Sequence, residues 1–402
     1  MTAGTARRED QFPVGAALRL SELERFDNAQ LLRRLRESEP VSWFAEQGVW
    51  LVTAKPLIDE VQNDSRNYIV DTEQNPNGAV LGRMMLAVDG AEHSRQRAPF
   101  AAPFKRGAVH ARLSSVVEAQ IERLLAHIES SGEAELAMAF ANPFAVSIAS
   151  DVLGLELASF DEVHAIYTEF ANGVVNYRDP NARKATIRAR EQLTGLVMPI
   201  IEQRRCHPDD SLLSSVLRSE HLLSTDEELL ANLRVILFGA IETVESMILN
   251  TAWALLHHRE QLMAALADAS LWPAVVQEGL RWIPPVGYSD RWTTQTVQLG
   301  GVTIPSGEYV VPVFAAANRD PGTFPDPDRF DISRGDDRRN LSFGKGIHMC
   351  LGVNLARLQG SLALKSLFER LPNLELNPER PSEPVGFNFR RPPHLYVRWR
   401  HL

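Results

Sequence analysis

The chain has 402 residues, of which 44% are hydrophobic and 23% charged, with a formal net charge of -9. This composition is that of an ordinary globular protein, and its negative balance argues against nucleic acid or an anionic membrane surface as the main partner. The first fifteen residues contain charges but no apolar core, and no window approaches the roughly 20 apolar residues of a membrane span. We therefore expect a cytoplasmic protein that has no secretory signal and does not contact a membrane.

The first half of the chain predicts a hairpin and a long helix. The segments VSWF (41–44) and VWLV (49–52) flank a polar turn that contains glycine, as in a β-hairpin. In residues 226–258, apolar side chains recur every three or four positions, the period of an α-helix. Ser224 or Thr225 can cap its start, each with a glutamate three residues later. Since helices average about 11–12 residues, one of this length must cross the core.

The last third predicts short strands separated by irregular structure. Residues 293–314, with Gly-Gly and Pro-Ser-Gly turns, predict further hairpins, and HLYVRW (394–399) predicts a strand. Residues 315–342 are rich in Pro, Asp and Arg and are too long for a simple linker, which predicts an ordered role. No repeat or composition shift marks a domain boundary. We expect one large, mainly α domain over residues 1–402, with small peripheral β-sheets.

Cys350 lies in FGKGIHMCLG (343–352), immediately before a leucine-rich helical pattern. A helix N-terminus favours a thiolate, and Gly344 and Gly346 permit a tight turn beside a flat group. Such a thiolate could be a nucleophile, a metal ligand or an axial haem ligand. Zinc would need three further Cys or His ligands, of which the neighbourhood supplies one, and no local residue is identified as the general base of a cysteine protease. An axial haem ligand needs one cysteine plus cationic groups for two propionates. The other cysteine, Cys206, lies in a polar connector and is interpreted as incidental.

The segment FGKGIHMCLGVNLAR (343–357) resembles the haem-binding loop of the cytochrome P450 family, Phe-Gly-x-Gly-x-His-x-Cys-x-Gly-x-x-Leu-Ala-Arg, at every fixed position. The resemblance implies the P450 fold and haem b, with the Cys350 thiolate as the ligand of its iron. DGAEHSRQR (89–97) is similar to the family's helix that contacts the haem. The residues implied to contact the cofactor are Cys350, His93, Arg97, Arg291, His348, Phe343, Gly344 and Ala240.

The long helix contains GAIET (239–243), which resembles the family pattern Ala/Gly-Gly-x-Asp/Glu-Thr. Glu242 and Thr243 are thereby implied to be the catalytic acid and alcohol on the oxygen-binding side. Taken alone, a mid-helix threonine more often bonds back to the carbonyl four residues earlier, here that of Gly239. Ala240 departs from the pattern, because its methyl group stands where the family usually has glycine.

Glu278 and Arg281, in QEGLRW, lie three residues apart on a predicted helix and can form a pair. A solvated surface pair would contribute little to stability. The resemblance implies instead that this Glu-x-x-Arg pair is buried. It also implies that Arg329, in the Pro-rich stretch, joins the pair and that the stretch supports the cysteine loop.

The resemblance implies a haem-thiolate monooxygenase that inserts one oxygen atom of O2 into a hydrophobic or aromatic small organic substrate. Because no flavin or iron–sulfur segment follows the haem domain, we expect NAD(P)H electrons to arrive through a separate ferredoxin and ferredoxin reductase. A basic patch suited to an acidic ferredoxin, or a merely solvated rim, is formed by Lys105, Arg106, Arg338, Arg339 and Lys345. The alternatives are a peroxide-dependent peroxygenase and a haem-thiolate sensor or binding protein without turnover.

The resemblance also locates a substrate pocket, although core packing explains several of its residues equally well. It comprises the loop before the His93 helix, the predicted helix near residue 170, the distal face of the long helix, and the residues after the Pro-Pro bend at 284–285. The side chains expected to line it are Met84, Met85, Phe170, Val174, Val286, Tyr288 and Ser289.

Overall fold

The computed structural model of the chain describes residues 7–154, 159–219, 223–334 and 339–400. The first α-helices are α1 Arg8–Gln11, α2 Pro13–Ala16, α3 Leu20–Leu23, α4 Ala29–Ser38, α5 Lys55–Asn63, α6 Pro76–Leu81, α7 Gly90–Ala101, α8 Arg106–Ile128 and α9 Asn142–Leu153. The later ones are α10 Phe160–Val175, α11 Pro180–Cys206, α12 Leu212–Leu217, α13 Asp226–His257, α14 Arg259–Ala267, α15 Trp272–Trp282, α16 Phe314–Ala317 and α17 Val353–Arg370. The fold is mainly α, as predicted.

The strands are short and lie at the periphery: β1 Val41–Phe44, β2 Val49–Val52, β3 Tyr68–Ile69, β4 Glu133–Glu135, β5 Arg291–Thr293, β6 Val297–Leu299, β7 Val302–Ile304, β8 Tyr309–Pro312, β9 Glu375–Leu376 and β10 Tyr396–Arg398. They form a five-stranded sheet in the order β1-β2-β8-β5-β3, a three-stranded sheet β4-β10-β9 and the hairpin β6-β7. In the larger sheet β2 and β8 are parallel, and the other neighbours are antiparallel.

Two of the predicted hairpins are confirmed, and the third connection differs. β1 pairs with β2, and β6 pairs with β7 across Gly300 and Gly301, whose φ angles of 56° and 82° suit glycine. The Pro-Ser-Gly turn leads from β7 to β8, but β8 pairs with β5 and β2 instead of β7. Val310 and Val311 of β8 are core residues of the five-stranded sheet, and β6–β7 forms a separate two-stranded ribbon.

Helix α13 is the long helix that the apolar period predicted. Thr225 caps it by accepting a hydrogen bond from the N–H of Glu228, and three acidic residues follow in its first turn, where they complement the helix dipole. The helix packs against α9, α10, α15 and α17, so that most of its length is buried on all sides. By length and composition alone, this helix could cross a membrane. We had expected that no segment of the chain would be long and apolar enough to do so. However, 72% of its most apolar window is buried inside the protein, as in the core helix of a globular fold.

The segment between α15 and the cysteine loop is ordered around a buried ion pair. Glu278 and Arg281 are 3% and 1% exposed, and two hydrogen bonds of 2.7 Å join the carboxylate to the guanidinium. Arg281 also donates to the carbonyl oxygens of Asn318, Pro327 and Arg329, all in the Pro-rich stretch. The pair therefore fixes this stretch behind the cysteine loop.

The arginine that joins the pair of Glu278 and Arg281 is Arg334. The prediction that Arg329 joins this pair was wrong. Arg334 Nε lies 3.5 Å from Glu278 Oε1, and its side chain is 13% exposed. The Arg329 side chain is 65% exposed and lies 3.9 Å from Asp331. A short helical turn at Ile332–Arg334 directs the later arginine inwards, so that Arg329 contributes only its carbonyl oxygen.

Candidate active site

The cysteine loop is a tight backbone structure that precedes α17. The N–H of Cys350 donates to the carbonyl oxygen of Phe343, and that of Gly344 donates to Leu341, each over 2.8 Å. Gly344 and Gly346 have φ angles of 66° and 74°, in the left-handed region that favours glycine. A Cβ atom on Gly346 would lie 2.2 Å from the carbonyl oxygen of Gln62. Both glycines of the loop are therefore required by conformation, and Gly346 also by the close approach of α5.

Gly346→Ala is expected to destabilise the protein by more than the conformational cost of a left-handed alanine, about 1–2 kcal/mol, because its methyl group would overlap the Gln62 carbonyl. Gly307→Ala is a matched control, since Gly307 has a φ of 79° but no atom within 4 Å of its Cβ position. Urea unfolding of both variants measures the difference. Equal losses of stability would show that the contact with Gln62 does not constrain the loop.

The thiol of Cys350 opens onto an internal cavity. The side chain is accessible from the cavity, while protein surrounds the residue on its other sides. Burial raises the pKa of this thiol, an effect partly offset by the N–H of Gly352 and by the positive charges of Arg97 and Arg357. Coordination to a metal would deprotonate the thiol outright. The surroundings of Cys350 thus contain the dipole and the cations that a bound thiolate needs.

The cavity has a volume of about 340 Å³ and is lined mainly by apolar side chains. Its walls come from α13, from the cysteine loop, from residues 285–291 and from the segment after α6. It brings together these predicted site residues: Cys350, Phe343, Gly344, His348, Arg97, Arg291, Ala240, Thr243, Met85, Val286, Tyr288 and Ser289. Residues from five separate parts of the sequence therefore meet around one space.

Three of the expected substrate residues do not reach this cavity. Met84 and Phe170 are fully buried and Val174 is 4% exposed, but all three belong to the hydrophobic core. Phe170 and Val174 lie on α10, which packs directly on α6, α11 and α13. The prediction that these three residues line the pocket is not met in this structure.

The distal face of the long helix was expected to line the pocket, and Val235, Ile236, Phe238 and Met247 of α13 do line it. Other lining residues were missed by the sequence reasoning. Phe104, Ile148, Asn388 and Phe389 come from remote segments, and no local pattern distinguishes them from core residues. Phe238 and Phe389 form an edge-to-face pair with ring centroids 5.5 Å apart.

Basic side chains gather where the cavity meets the cysteine loop. His348 Nε2 lies 2.9 Å from Asp89 Oδ1, and the rings of His93 and His348 are 4.5 Å apart. Arg97 donates to the carbonyl oxygen of Met349, and Arg291 donates to Gln62 Oε1. The result is a cluster of cationic and imidazole groups beside the thiol.

A flat group that bears carboxylates fits this cluster. His93 Nε2 is buried and has no hydrogen-bond partner among the described residues. Burial, together with the positive charges of His348 and Arg97, lowers the pKa of His93 to about 4, so the imidazole is neutral at neutral pH. An unused N–H donor and two arginines next to a cavity-facing thiol are what haem with two propionates requires.

Thr243 and Glu242 point to different sides of α13. Thr243 lines the cavity, and its hydroxyl donates to the Gly239 carbonyl oxygen over 2.6 Å, the bond expected of a mid-helix threonine. Its hydrogen is thereby used, while its oxygen can still accept a hydrogen bond. Glu242 is 4% exposed, is not among the cavity-lining residues, and accepts a hydrogen bond from the hydroxyl of Tyr167. The acid and the alcohol are neighbours, but only the alcohol contacts the cavity.

Comparison with known proteins agrees with this site. The family model for cytochrome P450 matches residues 17–396. The 6-deoxyerythronolide B hydroxylase of Saccharopolyspora erythraea is 33% identical over 365 residues, covering 85% of this chain and 88% of that protein. The vitamin D(3) 25-hydroxylase of Pseudonocardia autotrophica is 32% identical over 357 residues, covering 85% and 86%.

The fold likewise matches solved structures. The crystal structure of CYP109E1 from Bacillus megaterium in complex with testosterone superposes with a TM-score of 0.85 at 25% identity, covering 94% of this chain and 98% of that one. Together with the family match over most of the chain, this likeness explains the fold, the cysteine loop and the cationic cluster by membership of a single family. The chain therefore belongs to the cytochrome P450 family of haem-thiolate monooxygenases of the bacterial type, which use haem b and receive NAD(P)H electrons indirectly, through redox partners.

Proposed function

We propose that this protein inserts one oxygen atom of O2 into a hydrophobic or aromatic small organic substrate, with electrons from a separate ferredoxin and ferredoxin reductase. The observation that supports this proposal most directly is that Cys350 and Thr243, from segments over 100 residues apart, line the same mainly apolar cavity. We place the reaction in the cytoplasm and treat residues 1–402 as one haem domain, 17–396 of which match the family.

Haem b would be held by the Cys350 thiolate, which would bind its iron, and by basic groups that would pair with its two carboxylates. Arg97, Arg291 and His348 line the cavity, and His93 supplies the unused buried nitrogen. Phe343, Gly344 and Ala240 complete the wall. Bound haem supplies the activation of dioxygen; the protein contributes position, charge and the exclusion of water.

Thr243 and Glu242 have complementary roles in proton delivery. The Thr243 hydroxyl donates to Gly239, so its oxygen is oriented to accept and hold a proton-carrying water in the cavity. Glu242 lies on the adjacent, polar side of α13, where it contacts Tyr167 and Arg391. It therefore connects the cavity side of the helix to charged groups nearer the solvent. Ala240, three residues before Thr243, also lines the cavity.

The cavity favours an apolar substrate with a ring or another flat hydrophobic part. Its apolar wall includes the edge-to-face pair Phe238 and Phe389, whose geometry suits further aromatic contacts. Polar atoms come from Tyr288, Ser289 and Asn388, which can orient a substrate by a small number of hydrogen bonds. The vitamin D3, 6-deoxyerythronolide B and testosterone in the names of similar proteins agree with such a class. Candidate ligands can be screened for the shift in the haem absorption spectrum that follows when a ligand displaces water. Such a screen would identify the substrate class.

A basic surface near the cysteine loop is the proposed docking site for the ferredoxin. Lys105 and Arg106 are exposed at the start of α8, and Arg339 is exposed near the loop. Lys345 lies 3.3 Å from Asp59, which neutralises part of its charge. Arg338 lies outside the described residues. The surface therefore depends mainly on Lys105, Arg106 and Arg339, and its contribution to association should weaken as salt is added.

Thr243→Val tests the proposed function, because it keeps the side-chain volume and removes the hydroxyl. We expect folding and haem binding to persist, NAD(P)H consumption to continue, product per NAD(P)H to fall by on the order of tenfold or more, and hydrogen peroxide to rise. The measurement is product and peroxide per NAD(P)H in the presence of substrate and a surrogate ferredoxin system.

Thr168→Val is the matched control, since Thr168 also donates to the carbonyl oxygen four residues earlier but is exposed on α10. Ala240→Gly should be measured alone and combined with Thr243→Val. If Thr243→Val leaves product per NAD(P)H unchanged both in the parent protein and in the Ala240→Gly variant, Thr243 has no role in proton delivery. Product formed from hydrogen peroxide without electron donors would identify a peroxygenase instead, and no product under either condition would favour a sensor.

A further inference from the structure

A buried polar cluster lies on a side of α13 that does not line the cavity. Glu242 and Glu245, one turn apart, are 4% and 2% exposed. Arg391, from the C-terminal segment, approaches both: its Nε lies 3.6 Å from Glu242 Oε1 and its Nη1 lies 3.1 Å from Glu245 Oε1. Tyr167 donates to Glu242, and Asn142 Nδ2 donates to Glu245 Oε2 over 2.7 Å. Two carboxylates thus share one arginine.

The charges around this cluster do not balance if both glutamates are ionised. Arg391 is the cation that contacts them, while α9 presents the neutral Asn142 and α10 presents Tyr167 and, near Arg391, His164. Glu135 of β4 adds a further negative charge near Glu245. Because buried like charges disfavour each other's ionisation, the arrangement indicates that the pair retains one proton near neutral pH.

Burial places that proton on Glu245, because it raises the pKa of Glu245 to about 7 against the opposing effects of Arg391 and of the Asn142 hydrogen bond. Glu245 is also the less exposed of the two glutamates.

We propose that Glu245 is a positioning residue for proton delivery, which stores a proton and competes with Glu242 for Arg391. This role rests on the proposed monooxygenase function. One proton passes from the Glu245 carboxyl to the Glu242 carboxylate, so the negative charge moves to Glu245 and the net charge of the cluster is unchanged. Arg391 then pairs with Glu245, and neutral Glu242 is released from its cationic partner to supply the proton on the Thr243 side. Solvent afterwards reprotonates Glu245.

The first test is independent of turnover and compares Glu245→Gln with the parent protein by urea unfolding between about pH 5.5 and about pH 8.5. A carboxyl whose pKa is raised in the folded state stabilises the fold at low pH, and this contribution is lost as the pH rises through the folded-state pKa. The stability of the parent relative to the variant should therefore fall as the pH rises towards about 7 and level off above it. A difference that does not change with pH would show that Glu245 does not titrate there, and would overturn the proposal.

The second test is the pH profile of product formed per NAD(P)H. In the parent protein, product per NAD(P)H should fall above about pH 7. In Glu245→Gln it should not change with pH, and at low pH it should be lower than in the parent by on the order of tenfold. Asn142→Ala should keep the carboxyl but remove a hydrogen bond that lowers its pKa, so the fall should move to higher pH. This variant also provides the test if Glu245→Gln does not fold. Glu118→Gln, exposed on α8, is the control.

The outcomes separate this proposal from the function on which it rests. If the parent forms product and Glu245→Gln has the same pH profile, Glu245 has no role in proton delivery, although the monooxygenase assignment stands. If the parent forms no product with any electron donor, the proposed function fails, and this role fails with it. If Asn142→Ala leaves the midpoint of the profile unchanged, the titrating group is not Glu245.

Discussion

Cys350→His should abolish the strongly red-shifted Soret band that the reduced carbon monoxide complex of a thiolate-ligated haem shows, and monooxygenase activity should fall below detection. The physical reason is that this cysteine alone places a thiol on the cavity, beside the N–H of Gly352 and the charges of Arg97 and Arg357 that stabilise its anion. A neutral imidazole donates less electron density than a thiolate does. The optical spectrum and the haem content of the purified variant measure the effect.

Cys206→Ser is the control for this experiment, because Cys206 is an exposed cysteine at the end of α11 and lies outside the cavity. Its spectrum and activity should equal those of the parent protein. A Cys350→His variant that retained the thiolate spectrum would require another axial ligand. Retained haem with an altered spectrum would show that Arg97, Arg291 and the two histidines hold the cofactor without the thiolate.

Glu278→Ala should lower the free energy of unfolding by about 3–5 kcal/mol and yield little folded holoprotein. Removal of the carboxylate leaves Arg281 as an uncompensated charge at 1% exposure, and it also deprives the N–H of Asp331 of its acceptor. The Pro-rich stretch would then lose its attachment to α15, and the cysteine loop would lose the support behind it. Urea unfolding and the haem content per protein measure this loss.

The exposed pair Arg25 and Asp27 provides the matched control. It has the same bidentate geometry, with distances of 2.8 and 2.7 Å, but both side chains are 66% exposed. Asp27→Ala should change stability little, since solvent screens such a pair. Normal yield and stability of Glu278→Ala would contradict the buried pair, and equal losses in the two variants would show that burial is not the cause. Arg334→Ala, which removes the more distant cation, should cost less than Glu278→Ala.

Much of the architecture followed from local patterns. The apolar period and the cap at Thr225 predicted α13 because both depend on residues within one or two turns of each other. The β1–β2 and β6–β7 hairpins followed from short alternating segments around glycine turns. The cysteine loop was recognisable because its glycines, its histidine and Cys350 are contiguous and their spacing is set by one backbone conformation.

The direction of a side chain within the fold was decided by tertiary packing. Phe170 and Met84 are as apolar as Phe238 and Met85, yet only the latter two reach the cavity. Phe170 lies on α10, which packs closely against α6 and α11. The choice of Arg334 over Arg329 depended on a single helical turn in the Pro-rich stretch. Both arginines are present in the sequence, but only the side chain of Arg334 is buried next to Glu278.

By itself, then, the sequence determined the family, the proposed haem ligand Cys350 and the helix that carries Glu242 and Thr243, since each is encoded within a short contiguous segment. Only the tertiary structure showed that Glu242 faces Tyr167 and Arg391, and that Glu245 and Asn142 complete its surroundings. These groups lie up to about 250 residues apart in the chain, and no local pattern relates them. The burial that brings them together also raises the pKa of Glu245, so the charge state of the cluster is a property of the packed core.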